Sequence, residues 1–444
     1  MTDLSETLNS PAAADRLAAL RDLVRAEARA GAPPTTREVN NHVHTFYSFS
    51  PYSPTAAARR AHAAGLLAVG VMDHDSIAGA DEMREAGRIL AIATTSGFEM
   101  RVNATGTSLE GRKFNNPDST NILYMTLHGI PARSVEAVRR FLEPIQAARE
   151  ARDRLMVERL DTVLPVYGIE PLSWRKDVWE ASKASEGGSI TERHILYAVA
   201  RKVVDRVGKG ERLLSFLRDS LGLSLAPRLA SWLGDEGNPF LLYDLLGLLK
   251  SSFLGKVFIQ PDEKECIPVA EAVRFAEKVG AIPCYAYLGD VTDSPTGDKK
   301  AETFEDSYLD ELMAECKLLG FRAITYMPPR NTLRQLLRVQ KLCAAYGFME
   351  ISGVDINSPR QSFNCPELTR PEFAHLIDAT WALIAHEKLV EVDERLGLFH
   401  PGNPLAARPL AERIGAYAEV GKFLDPAEIR AAMDHPLVAS WLDR

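Results

Sequence analysis

The sequence predicts an α/β protein built on a parallel sheet or barrel, and three observations carry the prediction. Short apolar runs alternate with amphipathic stretches at βα spacing, first before residue 133 and again from Cys266 onward. At 444 residues and 46% hydrophobic, the chain is long enough to bury a substantial core. Histidines, acids and amides fall where the apolar runs end, the place at which parallel βα architectures gather functional side chains.

Taken in order, residues 12–30 carry apolar positions at helical spacing up to Gly31 and a Pro-Pro pair, giving an opening helix and linker over 1–37. "EVNNHVHTF" reads as the first strand, "SPTAAARRAHAAG" as a helix begun at Ser53-Pro54 and ended at Gly65, "LLAVGVMDH" as a buried strand, and "GADEMREAGRIL" as a helix. "AIATTSGFEMRV" and "TNILYMTLHGI" are again strand-like and complete a first barrel part, 38–133. Residues 134–256 read as nearly all helical, an insertion together with barrel helices. The βα rhythm returns over 257–366 through "CIPVAEAVRFAEKVGAIPCYAYLGD", "YLDELMAECKLLGFRAITYM" and "TLRQLLRVQKLCAAYGFMEISGVDIN", and a helical extension occupies 367–444.

A net charge of −8 argues against a protein that coats nucleic acid, which needs excess Lys and Arg to displace counterions. The five scattered cysteines form neither a disulfide framework nor a thiolate zinc motif. The N-terminal residues lack a signal-peptide pattern, and the most apolar stretch, "FLLYDLLGLLKSSFLG", is broken by Asp244 and Lys250. A cytoplasmic protein without a membrane span is expected; oligomeric state leaves no trace in the sequence.

The chemistry begins at "VNNHVHTFYSFSPYSP". His42 and His44 are two residues apart on a strand, so both imidazoles leave one face and can converge on a metal ion, although such a pair also arises by chance. Further strand ends carry Asp73, His74 and Asp75, then Glu99, then Asn121 and His128 on the fourth, then Asp355 and Asn357. Each has a structural alternative: Asp75 as a helix cap, Glu99 as an ion-pair partner of Arg101, His128 as a turn residue. Jointly they supply the nitrogen and carboxylate ligands that zinc, manganese or iron accept, and a carboxylate can bridge two ions.

In these motifs the chain resembles the PHP (polymerase and histidinol phosphatase) superfamily of metal-dependent phosphoesterases. "HVHTFYS", "VMDHDS", "GFEMR", "ITERHILYAVA" and "GVDINS" stand in the order of that family's motifs. The resemblance implies a distorted (β/α)7 TIM-like barrel with a helical insertion and helical N- and C-terminal extensions. It implies that His42, His44, Glu99 and Asp355 hold one divalent ion and that His194, with Glu99 and Asn121, holds a second. A third site would need His74 and Asn357. Manganese, zinc, iron or magnesium would serve, the amide oxygens favouring the harder ions. Departures from the family pattern are Ser48, Phe49 and Ser50 where an acidic or His ligand usually follows His-x-His, Asn121 and Tyr287 at expected histidines, and Asn357 in the last motif.

The function so implied is hydrolysis of a small phosphomonoester or phosphodiester by metal-activated water. Glu99 would bridge ions, Asp355 would orient or deprotonate the water, and Arg193 or Arg330 would steady the phosphate. Arg101, Tyr287, Arg330 and Arg360 are further candidate substrate contacts, with Lys299 and Lys300 as additional cations. The competing readings are a PHP-like binding or regulatory module that has lost hydrolysis and, ranked last, an amidohydrolase-type enzyme.

Overall fold

Seven strands, β1 (Val39–Val43), β2 (Ala68–His74), β3 (Ala93–Asn103), β4 (Ile122–His128), β5 (Ile282–Ala286), β6 (Ala323–Tyr326) and β7 (Met349–Ser352), pair in chain order into one sheet. The computed structural model describes residues 7–27, 35–291, 302–424 and 432–442; Lys299 and Lys300 lie outside them. Past β7 the chain returns to β1 through a bridge between Val43 and Ile356, so the sheet nearly closes. With helices around it, this is the distorted TIM-like α/β barrel expected from the sequence.

One strand departs from the simple βα repeat. β4 runs antiparallel to both β3 and β5, whereas every other neighbouring pair is parallel. A parallel partner would need a crossover long enough for a helix, and residues 104–121 contain none, so the chain folds directly back. The consequence for the site is a matter of register. Glu99 faces Thr126, and Asn121 lies beyond the Asn103–Ile122 pair.

The seam between β7 and β1 is stitched by two amides that begin the His-x-His strand. Asn40 donates to Val354 O and accepts from Val354 N, both at 3.0 Å, while Asn41 donates to Ser352 O at 2.9 Å. These side chains satisfy backbone groups that a regular ladder would otherwise pair, which explains two fully buried asparagines in a strand.

Helix Pro54–Ala63 starts as expected, with the Ser53 side chain accepting from Ala56 N and Pro54 in the first turn. Helix Ala13–Glu27 docks through Arg16, whose guanidinium forks onto Glu82 at 2.8 and 2.5 Å. Helix His375–Val392, buried over most of its length, closes the barrel end where β3 begins, its Glu387 accepting from Ser96 N at 2.8 Å. The helices between β4 and β5 form an apolar core of their own that includes Phe49 from the loop after β1. No helix among the described residues is long and apolar enough to cross a membrane, and all five cysteines are buried and unpaired.

Between that helical run and the barrel sits a buried ionic lattice. Arg101, Arg149 and Arg152 meet Glu192, Glu265 and Asp75, with Arg152–Glu265 and Arg152–Glu192 both at 2.6 Å. Asp153 lies beside them, fully buried, with neither carboxylate oxygen hydrogen-bonded. Burial pushes its carboxyl up to about 8 in spite of Arg152. A carboxyl raised in the folded state binds a proton that the unfolded chain has already lost, so its contribution to stability falls as pH rises from about 4 to about 8. Asp153→Asn should therefore gain stability relative to wild type across that window, read as a growing difference in urea midpoint; a difference independent of pH would refute it.

Candidate metal centre

The closing bridge places the two outermost motifs together. His44 N donates to Ile356 O at 2.9 Å and Ile356 N to His42 O at 3.1 Å, so Asp355 lies beside the two histidines of the first strand. The parallel pairing of β2 and β3 sets His74 level with Glu99. Gly353 is required for the approach: a Cβ there would lie 2.5 Å from His42 Cβ and 2.7 Å from His42 N.

Three imidazoles and two carboxylates converge as a result. Glu99 Oε2 is 3.0 Å from His74 Nδ1, 3.7 Å from His42 Nε2 and 3.9 Å from His44 Nε2, and Asp355 Oδ1 is 3.2 Å from His44 Nε2. His42, His44 and Asp355, and likewise His44, His74 and Glu99, each bring three ligand atoms within 4.8 Å of one another. Both sets share His44.

The hydrogen bonds around His44 decide what this cluster can hold. Ser48 Oγ donates its single proton to Asp73 Oδ1 at 2.7 Å, so at 3.3 Å it accepts from His44 Nδ1. Asp73 is itself fixed by Thr45, accepting from its N at 2.6 Å and from its Oγ1 at 2.7 Å. Neutral His44 thus carries its proton on Nδ1 and aims the Nε2 lone pair at carboxylate lone pairs, where that buried nitrogen has no hydrogen-bond partner. Burial disfavours a charged His44, yet Asp355 and then Glu99 outweigh it and raise the pKa. Only a cation relieves this arrangement, a proton or a metal ion. Three nitrogens and two carboxylates suit zinc, manganese or iron.

The carboxylates are tuned the same way. Burial works to raise Glu99, but His74 and His42 hold it well below the usual carboxylate range; burial likewise opposes, and His44 overrides, at Asp355. Burial lowers the pKa of His74, keeping its imidazole available as a neutral ligand.

The Ser48–Asp73 link, which the residue types alone did not reveal, yields a test. A partner on the far ring nitrogen holds a ligand's tautomer and orientation, and losing it costs about 10- to 100-fold in metal affinity. Ser48→Ala should show that loss in a chelator competition titration, with an unchanged affinity counting against the assigned tautomer.

Other expected ligands lie elsewhere. Asn121 sits in the loop before β4, its Oδ1 accepting from Gly111 N at 2.8 Å and its Nδ2 donating to Thr105 Oγ1 at 3.2 Å. Its place on β4 near the cluster belongs instead to Tyr124, on the Glu99 face and with its ring 5.8 Å from His74. His128 is fully buried at the far end of β4, not in a turn; burial, helped by His42, pushes it down to about 3, and its Nε2 has no hydrogen-bond partner. His194 caps its own helix, Nδ1 accepting from Thr191 N at 3.0 Å, and stands edge-on to Phe49 rather than among the convergent ligand atoms. Phe49 adopts φ 86°, a strained conformation for a large side chain, and packs on Tyr197 and Tyr243 of the helical run. Those two tyrosines line a cavity of about 270 Å³.

The expected phosphate contacts are also engaged. Arg101 pairs with Glu265 and Glu192, not with Glu99, because the interior face of β3 points it into the ionic lattice. Arg360 forks onto Asp244 at 2.6 and 2.7 Å and stacks on Trp232, tying the loop after β7 to the helical run. Tyr287 is buried and donates to Asp306 Oδ1 at 2.6 Å. Arg330 donates to Leu288 O at 3.1 Å. Asp75 pairs with Arg149, and the next helix starts at Gly79 without a side-chain cap. Asn357 donates to Asp355 Oδ1 at 2.7 Å and accepts from Arg193 Nη1 at 2.8 Å, which places it behind a ligand and not in the ligand set.

The comparisons with known proteins agree with a barrel of this fold. No family model matches the chain. A 5'-3' exoribonuclease of Haemophilus influenzae is 35% identical over 71 residues, 16% of this chain and 26% of that protein. The chain thus matches about a quarter of the length of that curated relative. A structure from Bifidobacterium adolescentis, described as a "putative metal-dependent phosphoesterase", aligns over 78% of this chain and 96% of that one at 21% identity and TM-score 0.50. An amidohydrolase from Chromobacterium violaceum aligns over 77% and 96% at 18% identity and TM-score 0.48. The likeness to the first of these structures is one of fold.

Proposed function

We propose that the protein is a metal-dependent hydrolase of a small phosphorylated substrate, a phosphomonoester or phosphodiester. The observation that carries this reading is the convergence of two carboxylates on the buried His44 Nε2, Asp355 Oδ1 at 3.2 Å and Glu99 Oε2 at 3.9 Å. His42, His44, His74, Glu99 and Asp355 would hold one or two divalent ions. Such ions supply Lewis acidity and lower the pKa of water toward neutrality. The chain's own residues do the rest. Asp355, partly open to solvent and held as a carboxylate, orients the attacking water or takes its proton. Arg193, tied to Asn357 beside Asp355, would steady the phosphate. With Arg101 and Arg360 neutralised by acids, much of the substrate's charge would fall to the metal. The fold shared with the structure described as a "putative metal-dependent phosphoesterase" and the short match to an exoribonuclease support the phosphoester class.

Metal analysis of purified protein, followed by phosphomonoester and phosphodiester panels with added manganese, tests this reading. Hydrolysis that requires the metal supports it. Bound metal with no turnover on any phosphoester would favour a binding module instead.

A further inference from the structure

Asn357 is connected on both sides of its amide. Its Nδ2 donates at 2.7 Å to Asp355 Oδ1, the same oxygen that lies 3.2 Å from His44 Nε2. Its Oδ1 accepts from Arg193 Nη1 at 2.8 Å, and its main-chain oxygen accepts from Arg193 Nη2 at 3.2 Å. An amide can be flipped, but a guanidinium only donates, so Arg193 fixes which end of Asn357 is oxygen and which end must face the carboxylate. Gln361 Oε1 accepts from Asn357 N and Ser358 N, each at 2.7 Å, holding the backbone in register.

Arg193 is itself held from behind. It follows Glu192, which Arg101, Arg149 and Arg152 grip, and it belongs to helix Glu192–Val207 of the run between β4 and β5. We infer that Arg193 and Asn357 form a positioning relay through which this helix sets the Asp355 carboxylate for metal binding. Neither residue needs to touch the ion. The inference rests on the metal-centre reading above, and it makes the geometry of Asp355 depend on the docking of a helix outside the barrel.

Affinity for manganese, measured by competition with a chelator in the absence of any substrate, tests it. Asn357→Ala and Arg193→Ala should each weaken binding about 10- to 100-fold, as the loss of a residue that orients a ligand does. Because Arg193 acts through the Asn357 amide, the double variant should be no weaker than Asn357→Ala alone. Two independent structural defects would instead add. Arg193→Lys, which keeps the charge without the fork, should fall between wild type and Arg193→Ala, and it serves with Asn357→Ser should an alanine variant fail to fold. Affinities within twofold of wild type in folded variants, or additive losses, would overturn the relay while leaving the metal centre standing. A wild-type protein that binds no manganese, zinc or iron would overturn both.

Discussion

Glu99→Gln is expected to abolish metal binding and hydrolysis together. One oxygen of this carboxylate faces His74 at 3.0 Å, His42 at 3.7 Å and His44 at 3.9 Å, so one negative atom lies within 4 Å of all three imidazoles. Glutamine keeps the shape and removes the charge. The three imidazoles would then face one another across a neutral amide, and a divalent ion would lose its strongest partner on that side. A metal ion contributes several kcal/mol of transition-state stabilisation, so a loss of about 1000-fold or more in rate is expected. The checks are metal stoichiometry and turnover on any substrate that the wild type proves to hydrolyse. A Glu99→Gln variant with full metal content and near wild-type turnover would remove Glu99 from the centre.

The second large effect concerns stability. Glu192 accepts from Arg152 at 2.6 Å, Arg149 at 3.1 Å and Arg101 at 3.3 Å, and all three arginines are buried. Glu192→Ala would leave three buried guanidinium groups with only Glu265, Asp75 and Asp153 to share, a defect that costs up to about 3–5 kcal/mol when a buried charge loses a partner. Burial opposes ionisation of Glu192, but Arg101, then Arg152 and Arg149, hold its carboxyl well below the usual range. The sign follows from that depression. Its contribution is present above the ordinary glutamate pKa and is lost as pH falls below it, so wild type and Glu192→Ala should converge in acid. Urea unfolding at neutral and acidic pH measures both parts. A difference under about 1 kcal/mol at neutral pH would mean that water reaches the lattice.

How much of this was legible in the sequence depends on the range of the interactions. The barrel strands and their flanking helices follow from local periodicity, and helix Pro54–Ala63 begins at the Ser-Pro pair that marks it. The direction of β4 was not legible as a strand pattern, since "NILYMTL" reads alike in either orientation; the absence of a helix over 104–121 was the available signal. His42, His44, Glu99 and Asp355 stand at strand ends; the closing bridge sets Asp355 beside His44, and the β2–β3 pairing sets Glu99 within 4 Å of both histidines. Asn121 and His194 were drawn toward the cluster by motif position, yet Asn121 spends its amide on its own loop and His194 turns its Nδ1 to the start of its own helix. The arginines show the same limit. A cation near a strand end reads as a phosphate contact until its partner is known, and Glu265 of Arg101 and Asp244 of Arg360 lie more than a hundred residues away.

The sequence by itself determined the class of architecture and the supply of ligands, because hydrophobic period and residue type are properties of the chain. The tertiary structure decided which donors share one point, which tautomer His44 adopts, and that Asn357 stands behind Asp355 with Arg193 behind it. Those outcomes rest on hydrogen bonds a few ångströms long between residues distant in the chain, and only the folded geometry brings such atoms within reach.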